Sequence, residues 1–194
     1  MANYTTVIID LKGERDNVIN VVKNNVLVTP EYVEQVRERN KKVSNPFRLE
    51  CGKIGTIDMN ILIPTPTDIC QLDLTSEIEK KYGVEKCWYD WRMTNWGIGW
   101  NVANTYFADW LADNCFSLEF DLKWAVPTKW VEKLAEICKE NNVEISGKFA
   151  NEDFNDQQGY FTTNEDGEVV WNFTKENREL YESVWGEGLL DEEE

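Results

Sequence analysis

Apolar and polar side chains alternate most regularly in Phe116-Ser-Leu-Glu-Phe-Asp-Leu-Lys-Trp124, the period of a half-buried strand. Pro127 then opens a stretch in which Trp130, Val131, Leu134, Ile137 and Cys138 recur at three and four residues. That spacing predicts a helix with one apolar face. Val143-Glu-Ile-Ser-Gly-Lys-Phe-Ala150 follows as a strand. Tyr160-Phe-Thr-Thr163 and Val169-Val-Trp-Asn-Phe173 are two more, joined through Asn164-Glu-Asp-Gly167, where the glycine supplies a positive φ. Lys175 to Trp185 is a last helix. Nearer the N-terminus, Thr5 to Lys12 is a β-branched strand closed by Gly13. Asp16 to Asn25 is a short helix. Pro30 begins a second, with Tyr32, Val33 and Val36 on one face. Met59-Asn-Ile-Leu-Ile-Pro64 reads as a strand stopped by Pro64 and Pro66, and Leu72 to Tyr82 as a helix ended by Gly83.

Strand 116–124, helix 127–141 and strand 143–150 form one unit. With the N-terminal strand, helix and strand they predict an α+β fold. It is a ferredoxin-like split β-α-β sandwich on an antiparallel sheet, with an aromatic insertion and a C-terminal β-hairpin plus helix. Residues 1–162 are expected to be the ferredoxin-like domain, and 163–194 a strand, helix and acidic tail in the same domain. At 194 residues and 42% apolar, the chain can bury one ordinary core.

Charge changes this picture. Lys and Arg number 20 against 36 Asp and Glu, for a net −16, and histidine is absent. A chain without histidine can build no Ser-His-Asp or Cys-His pair and no His-based metal site or pH switch. Direct nucleic-acid binding is not expected, because phosphate affinity needs dense positive charge. Residues 131–194 alone carry 18 acidic and 5 basic side chains. They form either a solvated face with a frayed tail or an acidic surface that docks on a basic partner. No window is apolar for the roughly 18 residues a membrane span needs. The start of the chain has no signal-peptide pattern, and the five cysteines lack CxxC spacing. These features predict free buried thiols in a reducing cytosol, and no membrane association.

Seven of the nine tryptophans fall between Trp88 and Trp130. Trp88, Trp91 and Trp96 fit one side of a helix ending at Gly97, and Gly97 and Gly99 permit a tight turn before Trp100. The segment is either a rigid aromatic plug over the sheet or an aromatic-lined groove that stacks a ring or takes a partner's side chain. Arg92 can pair with Asp90 or Asp109, or hold a ligand anion. The candidate binding residues are Arg92, Asn95, Trp96, Gly97, Trp100, Asn101 and Trp124.

Trp91-Arg92 followed by Asn95-Trp96-Gly97-Ile98-Gly99-Trp100-Asn101 resembles the signature of the YubB-type ferredoxin-like family of phage and plasmid proteins, which includes Api-like phage proteins of unknown function. Its pattern runs Trp-Arg, a short gap, then Asn-Trp-Gly-Thr-Lys-Trp-Asp/Asn. Here Ile98-Gly99 replaces Thr-Lys, which leaves no counterpart of that lysine. Pro64-Thr-Pro66, Lys123-Trp124-Ala-Val-Pro127, and Asn151 to Phe154 with Gly159 to Phe161 are similar to further features of the family. The resemblance implies a ferredoxin-like fold and a mobile-element origin. It brings no established catalytic residues.

No cofactor or metal is expected. Phosphate-binding glycine loops are missing. Asp153-Phe-Asn155-Asp-Gln157 begins like a calcium loop, but the glycine and distal glutamate are out of place. The leading expectation is a non-catalytic phage or mobile-element accessory protein, counter-defence or regulatory. It would bind a host or phage protein through that protein's basic surface. The alternative is a small-molecule binder, with Trp96, Trp100 and Trp124 stacking an aromatic ligand or nucleotide and Arg92 meeting a phosphate. A carboxylate enzyme is a third, weaker possibility, because no acid pair stands out.

Overall fold

The computed structural model describes residues 3–41, 51–66 and 88–187. Among these residues, six strands form one open antiparallel sheet: β1 (Tyr4–Lys12), β2 (Asn104–Ala112), β3 (Cys115–Lys123), β4 (Glu144–Asn151), β5 (Gln158–Thr163) and β6 (Val169–Thr174). Their order is β2-β3-β1-β4-β5-β6. The first four make the split arrangement of the ferredoxin-like fold, with β1 between β3 and β4. The hairpin β5–β6 extends the same sheet beside β4.

Side chains at every second position turn the same way. Val7, Ile9 and Leu11 of β1, Phe116, Leu118, Phe120 and Leu122 of β3, and Ile145 and Phe149 of β4 are buried on one face. Two helices cover that face. α1 (Arg15–Asn25) brings Val18, Val21 and Val22, and α4 (Thr128–Glu140) brings Trp130, Val131, Leu134, Ala135 and Cys138. Both also run where the sequence places them. α2 (Pro30–Lys41) buries only Val36 fully, with Tyr32 and Val33 half-buried on the expected face. α3 (Trp88–Trp96) carries the aromatic segment. The opposite sheet face is covered in part by α5 (Arg178–Trp185), where Tyr181 and Val184 join Ala150 in a separate small cluster. Lys148 Nζ reaches the Ser183 carbonyl at 2.8 Å, and Trp185 Nε1 the Ala150 carbonyl at 3.1 Å.

Two expectations for the N-terminal half change. Residues 59–64 are not a strand: they turn repeatedly, and only Ile57, just before them, bridges to Leu27. The strand that completes the fold is β2, at the sheet edge, with bulges between Thr105 and Phe107 and between Trp110 and Ala112. The expected helix 72–82 lies outside the described residues. Among the described residues, no helix is long and apolar enough to cross a membrane.

Candidate functional site

Three of the candidate residues, Arg92, Trp96 and Asn101, converge on the turning segment 57–65. That segment contains Asp58, Asn60 and Thr65, all buried. Buried polar groups are costly unless paired, and here each is paired. Asp58 Oδ1 accepts from the Asn60 backbone N–H (2.9 Å), Asn60 Nδ2 (3.1 Å) and Asn101 Nδ2 (2.7 Å). Its Oδ2 accepts from the Tyr32 hydroxyl at 3.4 Å. Burial, with Asp58 alongside, holds the Tyr32 phenol well above its usual range. Asn60 Oδ1 accepts from the backbone N–H and hydroxyl of Thr65. Asn101 Oδ1 accepts from the backbone N–H groups of Met59 and Val102.

The tryptophans grip the same segment by its carbonyls. Trp96 Nε1 donates to Ile63 O at 2.9 Å and Trp130 Nε1 to Met59 O at 3.3 Å, both rings being fully buried. Burying an indole removes roughly 150–250 Å² from water, about 4–6 kcal/mol.

Arg92 donates from Nε to Thr65 Oγ1 at 3.1 Å, with its guanidinium 4.6 Å from the Trp96 ring and 4.9 Å from that of Trp88. Among the described residues it forms no ion pair with Asp90 or Asp109. Asp109 accepts instead from the backbone N–H of Trp110. Trp100 meets Trp88 and Tyr89 edge to face, and Lys123 Nζ lies 4.8 Å from its ring. Cations of the chain itself therefore occupy faces of both Trp96 and Trp100. Asn95 turns back to the Trp91 carbonyl within α3.

Gly97 and Gly99 serve close approach. Gly97 has φ +81°, and a Cβ there would stand 2.7 Å from Thr128 Oγ1, at the start of α4. A Cβ on Gly99 would lie 2.1 Å from the Tyr89 ring. Trp124 is apart: it makes no ring contact with the other candidates among the described residues. Its side chain is exposed, its φ is +79°, and its backbone bonds to Asn3. Such a φ is unusual for a bulky residue.

Two concavities are lined by none of the sequence-predicted candidate residues, although Tyr32 and Asn60 of this site border the first. One, of about 410 Å³, runs between α1, α2 and the 60–64 turns, past Lys23, Tyr32 and Arg39. The other, of about 600 Å³, lies between α4 and the β5–β6 turn. Glu132, Glu136, Glu140, Asp166 and Glu168 surround it, with Lys139 as its cation. No group of three or more potential metal-ligating side chains gathers among the described residues.

Similarity to known proteins is structural. The fold matches the crystal structure of the protein Api92 from Yersinia pseudotuberculosis, assigned to the family model DUF1281. The match has a TM-score of 0.53 and 12% sequence identity, and it covers 90% of this chain and 98% of that one. At that identity the likeness shows the fold. Neither a protein-family model nor a curated protein sequence matches the chain.

The sequence reading missed Tyr32, Asp58, Asn60 and Thr65. A signal was present in Ile57-Asp-Met-Asn-Ile-Leu-Ile, where two polar side chains interrupt an apolar run. Asx side chains in such a run compete for backbone N–H groups and favour turns.

Proposed function

We propose that this protein is a non-catalytic accessory protein of the YubB-type phage and plasmid family. It works in the bacterial cytoplasm by binding a host or phage protein through that protein's basic surface, in a counter-defence or regulatory role. One observation carries the reading. Arg92, Trp96 and Asn101 of the central motif are spent on the chain's own 57–65 segment, whereas carboxylates gather around the open concavity beside α4. Arg92 and Lys123 already cover rings that the small-molecule reading needs for stacking. Acidic clustering favours fast, salt-sensitive association with a basic surface.

The test is capture from bacterial lysate on immobilised full-length protein across a salt series. The expected result is a discrete partner with a basic surface, retained at low salt and released as salt rises. Recovery of no specific partner at low or moderate salt refutes the reading. Tryptophan quenching by a nucleotide at micromolar concentration would favour the small-molecule alternative.

A further inference from the structure

We propose that the outer edge of β6, which no strand among the described residues covers, takes up an extended, lysine- or arginine-rich segment of a partner protein as a further strand. The inference rests on the binding role above and names the surface that performs it.

Hairpin geometry fixes which backbone groups are free. Asn164 donates its backbone N–H to Glu168 O at 3.0 Å, and Gly167, with φ +76°, donates to Asn164 O at 2.9 Å. Residues 164 and 168 are therefore a hydrogen-bonded pair. Along the register, Thr162 with Val170, Tyr160 with Asn172 and Gln158 with Thr174 occupy the same kind of position. Val169, Trp171 and Phe173 consequently point their N–H and C=O groups away from β5. Among the described residues no strand receives them, since β6 ends the sheet.

The two sheet edges differ. β2 has two bulges, a common protection against edge pairing. β6, Val169-Val-Trp-Asn-Phe-Thr174, pairs with β5 in unbroken register and contains neither proline nor charge. Val170 is 51% exposed and Phe173 47%. Trp171 has a buried indole N–H without an acceptor among the described residues. Such an edge is a template for strand addition, in which main-chain bonds give affinity and flanking side chains give selectivity.

Charge selects the occupant. Val169, the first residue of β6, also lines the concavity edged by Glu136, Glu140, Asp166 and Glu168. A basic strand entering there meets carboxylates. A second copy of this chain, at net −16, brings the same acidic flank to the junction, and like charges oppose it.

The probe is a synthetic peptide of alternating lysine and valine, added to the full-length protein and read by amide hydrogen exchange. A glutamate–valine peptide is the control. In the free protein, the amides of Val169, Trp171 and Phe173 should exchange faster than those of Val170, Asn172 and Thr174. The lysine peptide should slow the first set at low salt, with the effect fading as salt rises, and the glutamate peptide should not. Phe173→Pro removes an outward N–H without touching the β5 ladder, and should weaken peptide binding about tenfold. The pair Glu136→Lys and Glu140→Lys, which leaves the strand intact, should also weaken it about tenfold. Protection confined to other strands, no protection at low salt, or dimerisation through β6 in place of peptide uptake would overturn the proposal. A lysate partner retained equally by wild type and both variants would refute this surface while leaving the binding role standing. A lysate without a partner, combined with specific peptide protection, would do the reverse.

Discussion

Asn101 Nδ2 donates to Asp58 Oδ1 across 2.7 Å, while Asn101 Oδ1 accepts from the backbone N–H of Met59. One amide thus ties a buried carboxylate and its neighbouring main chain to the segment after α3. Truncation by Asn101→Ala leaves buried donors and a carboxylate short of partners. The expected loss is about 2–4 kcal/mol of unfolding free energy, measured by urea denaturation. A change within about 0.5 kcal/mol would show that water replaces the amide without penalty.

Arg92 acts as an internal clamp between two indoles. Arg92→Met keeps much of the stem and removes both the charge and the bond to Thr65. It should cost about 1–2 kcal/mol and leave lysate capture unchanged. Lost capture at unchanged stability would instead assign Arg92 to binding.

Gly99 stands where the resembled pattern has lysine. Gly99→Ala should push the Tyr89 ring off its contact with Trp100, changing the near-ultraviolet circular dichroism and lowering stability by about 1–3 kcal/mol. An unchanged aromatic spectrum would show that Tyr89 gives way freely.

Alkaline pH should weaken the fold. Burial pushes the Cys138 thiol up to about 12 from its ordinary value of 9.0. The Tyr106 phenol is likewise raised to about 12 from 10.0, first by its bond to Asp121 and then by burial. In both cases the folded state holds its proton more tightly than the unfolded chain. The stabilisation is complete below the unfolded value and is lost as pH rises through the folded one. For Cys138 the window runs from 9.0 to about 12. Cys138→Ala should flatten the stability profile there, and an unaltered slope would exclude the thiol as its source.

Trp124 holds a left-handed backbone with a largely exposed ring. Trp124→Gly should raise the unfolding free energy by about 1 kcal/mol, because glycine adopts that φ without steric cost. A loss of stability would show that the ring packs usefully despite its exposure.

The C-terminal half is the part of the fold that the sequence displays openly. β3, α4, β4 and the β5–β6 hairpin each turn most of their apolar side chains to one face, which writes a period into the residues. β3 departs from the expected half-buried strand only in that Ser117 and Asp121 on its other face are buried too. Ile61, Leu62 and Ile63 mislead for the opposite reason. Their apolar run suggests a strand, but Asp58 and Asn60 bind the backbone N–H groups of Asn60 and Thr65 and turn the chain. β2 hides its alternation because its bulges fall inside it and, among the described residues, its outer edge carries no partner strand. The aromatic motif marks where the interior is tied together. Whether each ring faced solvent or core depended on Arg92, Lys123 and segment 57–65, which are brought there only by the tertiary fold.

The centre of the sheet is also the first strand made. Thr6 of β1 meets Asp121 from 115 residues downstream, and Thr5 meets Asn151 from 146 downstream. A nascent chain leaving the ribosome therefore carries β1 without either neighbouring strand, and Val7, Ile9 and Leu11 without the cover of α4, until those elements have been synthesised. Long loop closures of this kind slow consolidation. During that interval the emerging polypeptide is a natural client for chaperones.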